Sequence, residues 1–508
     1  MNRWIFLSLA FFVSVANAQD SLHKTRTLIV VFDGLRPDYI TPDQMPNLFS
    51  FRKNASYGSA HHSVFPTVTR VNASSYVTGS YPHTHGLMGN SVYFPQVDKT
   101  RGLNTGDASV LRHIDQVTGN RLLTSPSLGE ILDRAGERLM IFSSGSSGQA
   151  FIQNHTVGRG NIVNPGIILP VSMEEDVGKT LGMPPLHGTP NAAQHAWATR
   201  ALLHYAFVPE GPLVSAIWYS DPDGSAHDQG IGSPAALQSL KVVDEEFGKI
   251  LTALKEADLT DKFNIIITSD HGFITKRGSH NLTAFLIDRA LKNEKLSDDV
   301  VLAGSAIYVK DHDPVLIKRI VSALQEQTWV GALFTRAKNP GHPLGWVEGT
   351  LSFETIHWDH ASRSGDIIVD YNWDHSMNSF GYKGRAFSPG VAGHGGLSPY
   401  EIHIPLIASG PSFRKRYKSA IPTSNIDIVP TILYLHRLDI PTEMEGRVMT
   451  ELLSGKEERQ VPKVRKEMVD AKVDDSWGTY RVLLRRSVVG DHVYVDYTSV
   501  EREVKNRE

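Results

Sequence analysis

Three aspartates and three histidines stand where apolar runs end or begin, and the chain has no cysteine to offer a thiolate. Asp33 follows Thr27 to Phe32, in Asp33-Gly34. Asp223 and His227 follow Leu213 to Tyr219, in Ser220-Asp221-Pro222-Asp223-Gly224-Ser225-Ala226-His227. Asp270 and His271 follow Phe263 to Thr268, and His394 stands in Gly393-His394-Gly395-Gly396, ahead of Ile404 to Ala408. Carboxylates with imidazoles suit zinc, and manganese or iron accept the same atoms. One Asp-His pair says little. Four motifs, each beside a glycine and each at an end of a different strand, say metal centre.

A second stretch could supply a nucleophile. From Phe65 to Pro82 the chain reads as a loop that brings Thr67 and Thr69 to the start of a short helix, followed by His83-Thr84-His85-Gly86 and then Asn90. Unpaired N–H groups at a helix start favour an anion such as phosphate. The plain alternative is that Thr67 and Thr69 are N-cap residues.

The elements that must position these groups follow from the same runs. Unbroken apolar segments at Thr27 to Phe32, Arg138 to Phe142, Leu213 to Tyr219, Phe263 to Thr268 and Ile404 to Ala408 suit strands buried on both faces. Helical patterns alternate with them, the clearest opening at Ser233-Pro234 and presenting Leu237, Leu240, Val243, Phe247, Ile250 and Leu254 on one face. The expected fold is α/β, a mainly parallel central sheet flanked by helices, with ligands beyond the carboxyl ends of its strands. Residues 19–275 and 386–455 would form this core. Residues 276–385 break the pattern and read as an inserted α+β cap, with a strand at Ala306 to Val309, a helix at Pro314 to Gln325, a strand at Asp366 to Asp370 and aromatic loops around Trp346, Trp358 and Trp373. The tail, 456–508, is charged up to Asp475 and then alternates as a hairpin, Tyr480 to Leu484 with His492 to Tyr497.

Met1 to Ala18, with Arg3, an apolar run from Trp4 to Val15 and Ala16-Asn17-Ala18, has the form of a cleaved secretory signal. No later stretch approaches the roughly 20 apolar residues of a membrane span, so the expected address is periplasmic or secreted. A formal net charge of -3 over 508 residues gives no basic surface for nucleic acid. An anionic small molecule must then be held locally, by metal ions above all. The oligomeric state is not legible.

In order and wording these motifs resemble the alkaline phosphatase superfamily, and within it the nucleotide pyrophosphatase/phosphodiesterase family. Asp33 stands in the family's first Asp-Gly, Thr69 at its nucleophile, and Asn90 at the asparagine after Tyr-Pro-x-x-His-Gly. Asp223 and His227 match Asp-x-x-x-His, Asp270 and His271 match Ser-Asp-His-Gly, and His394 matches the late Gly-His-Gly. The resemblance implies two divalent ions, most simply Zn2+, one on Asp33, Asp270, His271 and Thr69, the other on Asp223, His227 and His394. It implies hydrolysis of a phosphodiester or phosphoanhydride through a phosphothreonine at Thr69, with Asn90 and the Thr69 N–H on the non-bridging oxygens. His85 is expected to be structural, and His61, His62, His357, His360 and His375 lie outside the set. Where the family has Phe-Pro-Asn-His after the nucleophile, this chain has Arg70-Val71-Asn72-Ala73. Superfamily monoesterases carry a lysine and an arginine in a loop that here corresponds to Phe142 to Gln149, which has neither. A diester is therefore the expected substrate, with Trp358 or Trp373 as walls. A phosphomonoesterase or phosphonate hydrolase, and a secreted binding protein without activity, are the alternatives.

Overall fold

The computed structural model describes residues 25–455 and 462–505. The expected signal, Met1 to Ala18, lies outside the described residues. No helix among them is long and apolar enough to cross a membrane.

Five strands lie side by side and parallel in the order Phe263–Thr268, Arg26–Phe32, Val214–Tyr219, Leu139–Ser143, Asn161–Asn164. The Arg26–Phe32 strand is buried along its whole length, and its two faces feed different cores. Ile29 and Val31 pack with Ala73, Tyr76 and Val77 of the helix Thr69–Thr78. Leu28, Val30 and Phe32 pack with Val243, Phe247 and Ile250 of the helix Pro234–Glu256. Alternate side chains of a strand point to opposite faces, so only a continuous apolar run fills both layers. The long helix starts as expected: Pro234 is its first residue, and the Ser233 Oγ accepts a hydrogen bond from the Ala236 N–H.

Beyond Phe263–Thr268 the sheet turns antiparallel, through His403–Ser409 and then Ser56–His62. Two reversals leave Ser56–His62 running the same way as the central strands. Its sequence, SYGSAHH, lacks the apolar run that marks the others, and it was not among the expected strands.

Residues 274–393 build two more sheets. One joins Trp373–Met377, Lys383–Pro389, Ile274–Gly278 and Ala392–Gly393, so strands straddle the expected cap edges at 276 and 385, and Trp373 lies in a strand instead of a loop. The other orders Val300–Ala303, Ala306–Val309, Ile367–Tyr371, Val330–Thr335 and Leu351–Ser352, with the helix Pro314–Gln325 packed on it through Ile317, Ile320, Val321 and Leu324. The C-terminal residues form a three-stranded meander, Val464–Asp474, Gly478–Val489 and His492–Val504, where a two-stranded hairpin was expected. In its first strand only Val469 and Ala471 are buried, and they join Tyr480, Val482 and Leu484 against Leu333 and Phe334. So few apolar residues left that strand looking like a charged linker.

Candidate metal centre

Parallel strands end on one edge of a sheet, which brings Asp270 and His271, Asp33, and Asp223 and His227 together from three neighbours. The Asp33 N–H bonds to the Tyr219 carbonyl and the Asp223 N–H to the Asp33 carbonyl, each at 3.0 Å. Between them Gly34 has φ +72°, and a Cβ there would sit 3.1 Å from the Asp223 Cα, so only glycine lets the two turns approach this closely. Because His403–Ser409 runs antiparallel, its start lies at the same edge, which is why His394 precedes its strand. Ser56–His62 ends there too and leads into Thr69.

The six residues separate into two groups, Asp33 with Asp270 and His271, and Asp223 with His227 and His394, each able to present ligand atoms within 4.8 Å of one another. Each imidazole has its Nδ1 against a main-chain carbonyl: His271 on Gly272 at 3.0 Å, His227 on Ala392 at 3.1 Å and His394 on Thr67 at 2.8 Å. A nitrogen facing a carbonyl must carry the proton, so every Nε2 is a lone-pair donor turned inward. His227 and His394 Nε2 lie 3.3 Å from the Asp223 Oδ1, and His271 Nε2 lies 3.0 Å from the Asp270 Oδ2 and 3.4 Å from the Asp33 Oδ1. His271 Nε2 is also 3.9 Å from the Asp223 Oδ1, so the groups adjoin.

The outer oxygens are tied down. Trp218 Nε1 donates to the Asp33 Oδ2 at 3.0 Å, and the Gly34 and His271 N–H groups donate to the Asp270 Oδ1 at 3.0 and 2.9 Å. The inner oxygens, Asp33 Oδ1, Asp223 Oδ1 and Asp270 Oδ2, are buried with no hydrogen-bond partner. Buried carboxylate oxygens left in this way are costly unless a cation meets them, so the donor set fits metal ions. Burial and the neighbouring Asp270 and Asp223 charges push the Asp33 carboxyl well above its usual range. Burial also raises Asp223, but His227 and His394 pull it well below that range. Burial, together with the nearby His271, lowers His394 to about 3. A third cluster, His62, His403 and Asp496, has similar spacing. There the Asp496 carboxylate already takes bonds from His62, Ser487 and Lys466, and none of its oxygens is orphaned.

Thr69 is the first residue of its helix, with Val68 in the cap position. Neither threonine caps it. The Thr69 hydroxyl is buried 3.4 Å from the His271 Nε2. The Thr67 hydroxyl is spent: it donates to the Gly396 carbonyl at 2.8 Å and accepts from the Gly395 N–H at 3.1 Å. Asn90 Oδ1 accepts the Arg70 N–H at 2.9 Å, which leaves its amide hydrogens for another acceptor.

A cavity of about 370 Å³ opens beside Asn90 and His394, walled by Val68, Met88, Trp358, Ala303 and Tyr371. Trp358 lines it, fixed by its Nε1 bond to the Met88 carbonyl at 3.0 Å. Trp373 does not line it; it bonds to the Thr498 carbonyl under the C-terminal meander. Nor does the Phe142 to Gln149 loop line it, so the missing cations there do not describe its charge. Arg70 and Lys276 line it instead. His85 bonds to Ser75 and to the Leu87 N–H. His61, His62, His357, His360 and His375 bond to Thr423, Asp496, the Val493 carbonyl, Thr124 and Tyr400 respectively, away from the centre.

Several supporting residues carried no sequence signal. Asn72 grips Val64 through both its N–H and its carbonyl at 2.8 and 3.0 Å, and Asn425 bridges Asn72 to the Ser269 carbonyl. Asp221, buried with His195 at 2.9 Å, accepts from Ser225 inside the helix Asp223–Gln229 that carries Asp223 and His227.

A family model described as "Type I phosphodiesterase / nucleotide pyrophosphatase" matches residues 27–386. The bis(5'-adenosyl)-triphosphatase enpp4 of Xenopus laevis is 25% identical over 439 residues, which cover 84% of this chain and 82% of the relative. The human ectonucleotide pyrophosphatase/phosphodiesterase family member 5 is 23% identical over 81% of this chain and 74% of its own. In structure, murine ectonucleotide pyrophosphatase/phosphodiesterase 5, an inactive form in complex with AMP, aligns with a TM-score of 0.58 at 21% identity, over 85% of this chain and 100% of the other. With an alkaline-phosphatase-like sheet and a family match over most of its length, the chain belongs to the type I phosphodiesterase/nucleotide pyrophosphatase family, whose members are metal-dependent hydrolases of phosphodiester and pyrophosphate bonds.

Proposed function

We propose that this enzyme is exported and cleaves a phosphodiester or phosphoanhydride with Thr69 as nucleophile, at a centre of two divalent ions, zinc by the donor set. The observation that supports this reading most directly is the facing of three orphaned carboxylate oxygens by three imidazole Nε2 atoms. Asp33, Asp270 and His271, with the Thr69 hydroxyl, would hold one ion, and Asp223, His227 and His394 the other. Bound there, such ions favour a threonine alkoxide and offset charge on the reacting oxygens.

The chain's own groups do the rest. Thr69 Oγ1 bonds to phosphorus as the leaving oxygen departs, giving a phosphothreonine; water then cleaves that ester and returns the hydroxyl. The Asn90 amide, aimed by its bond to the Arg70 N–H, and the Thr69 N–H, which has no intrahelical acceptor at the first helical position, donate to the non-bridging oxygens. Residues 276–385 act as a cap, since Ala303, Ala306 and Tyr371 wall the cavity from that side. Export rests on the Met1 to Ala18 pattern.

The test is hydrolysis by zinc-loaded protein of bis-p-nitrophenyl phosphate against p-nitrophenyl phosphate, with phosphonate and sulfate esters beside them. Higher kcat/KM on the diester is expected. A better monoester means the phosphatase reading. Because the enpp4 relatives are named bis(5'-adenosyl)-triphosphatases, dinucleotide polyphosphates are the first natural compounds to assay.

A further inference from the structure

Arg70 and Lys276 enter the cavity from two different elements, the start of the helix Thr69–Thr78 and the strand Ile274–Gly278. Both are half-buried, and among the described residues neither has a carboxylate within ion-pair distance. Arg70 makes one long side-chain bond, Nε to the Thr105 Oγ1 at 3.4 Å. Its Nη2 lies alongside Gly106, 3.3 Å from where a Cβ there would stand. The guanidinium therefore runs past Asn90 toward the Leu103–Asn104 strand instead of turning back on Thr69. The Lys276 ammonium rests on Gly393, where an added Cβ would come within 2.3 Å of its Nζ and 3.2 Å of His227.

Two acids also line the cavity, Asp370 and Glu401. The Glu401 oxygens are taken by the Gly396 N–H at 2.8 Å and the Ser398 hydroxyl at 2.6 Å. Burial, and then the neighbouring Glu401, pushes Asp370 well above the usual carboxylate range. Neither forms an ion pair with Arg70 or Lys276, although Glu401 attracts the Lys276 ammonium from beyond that distance. A partly buried cation whose negative neighbours all lie beyond ion-pair distance is costly, and an anionic ligand group recovers that cost.

Resting on the phosphodiesterase reading, we propose that Arg70 and Lys276 form an anion subsite, so that the substrate carries a second anionic group, a carboxylate or a phosphate, on the part that occupies this cavity. The apolar wall of Val68, Met88 and Trp358 takes the linking portion, and the cations take its charged end. This gives Arg70 a role in specificity.

Three diesters with a common p-nitrophenolate leaving group test this: p-nitrophenyl ethyl phosphate, its 2-carboxyethyl counterpart and its 2-phosphonoethyl counterpart. The wild type should favour one or both anionic esters over the ethyl ester by about tenfold or more in kcat/KM, chiefly through KM, in line with one charge-assisted bond. Which of the two is preferred separates carboxylate from phosphate chemistry. Arg70→Gln and Lys276→Gln should each bring that ratio down toward one, and Arg70→Lys should restore part of it. Because the ratio is taken within each protein, a loss of folded enzyme does not mimic the effect. Equal rates on all three esters in the wild type overturn the subsite and leave the phosphodiesterase reading standing. So does an Arg70→Gln that loses only p-nitrophenyl phosphate hydrolysis, because the guanidinium would then be reading a third phosphoryl oxygen. Failure to hydrolyse any of the three overturns both.

Discussion

His394 Nδ1 donates its proton to the main-chain oxygen of Thr67, two residues before Thr69, at 2.8 Å. The Thr67 hydroxyl in turn bonds to both Gly395 and Gly396. The loop that carries Thr69 and the loop that carries His394 are thus joined through Thr67, which is expected to act by positioning. Thr67→Val keeps the volume and removes both side-chain bonds. It should weaken zinc binding at one of two sites by about tenfold or more, read by competition with a chromophoric chelator. Unchanged affinity at both sites would show that these bonds do not orient His394.

Thr69→Ala should lower kcat by about 10⁴-fold or more while the zinc content of the protein falls little. Only one donor is removed, and the carboxylates and imidazoles stay. Acid quenching during turnover of the wild type should trap phosphate on Thr69. Phosphate on Thr67 would reverse the assignment.

Exhaustive chelation should abolish activity and zinc should restore it. His394→Ala should take the metal content from about two ions per chain to about one, since it removes one of three donors from the second group and leaves the first intact. Wild-type activity that survives chelation would exclude a metal-dependent mechanism.

Asp221 bonds through one oxygen to His195 and the Asn191 N–H, and through the other to Ser225. Asp221→Asn offers hydrogens where at least two donors already point, inside the core. A loss of about 3 kcal/mol in unfolding free energy is expected, with zinc affinity falling at the second group because the helix Asp223–Gln229 loses its anchor. Denaturant unfolding and zinc titration on the same variant measure both. A stability change without a zinc effect would limit Asp221 to the fold.

His83 bonds to Asp359 at 3.0 Å and to Glu445. Burial alone would lower its pKa, but the two carboxylates raise it to about 9 from an ordinary 6.5. A raised pKa stabilises the folded state fully below the unfolded value and loses that effect as pH climbs through the folded one. Stability from this group should therefore decline between about pH 6.5 and 9, by at most about 3 kcal/mol. Thermal melting of the wild type should fall more steeply over that interval than that of His83→Gln. Parallel curves would contradict a charged His83 in the folded protein.

What the sequence determines by itself is whatever strong local patterns encode. Thr27 to Phe32 and Phe263 to Thr268 read as strands because a run apolar on both faces has few other stable homes, and Ser233-Pro234 marks a helix start through local bonding alone. Asp33, Asp223, His227, Asp270, His271 and His394 could be singled out as candidate donors because each sits against such a pattern, and the structure brings them together in two groups; the family resemblance added Thr69 and Asn90 as candidates. The strand Ser56–His62, which leads into Thr69, was not legible, for its polar residues are held by partners far along the chain, as in His61 with Thr423 and His62 with Asp496. Val464–Asp474 was missed because two buried residues among charged ones leave no period to read. Only the tertiary structure decided that His394 approaches from the start of an antiparallel strand, that Thr67 is spent on hydrogen bonds and Thr69 is not, and that Arg70 and Lys276 share a cavity across 206 positions of chain. Each of these depends on which backbone reversals bring distant segments to the same sheet edge, and no local window of sequence contains that information.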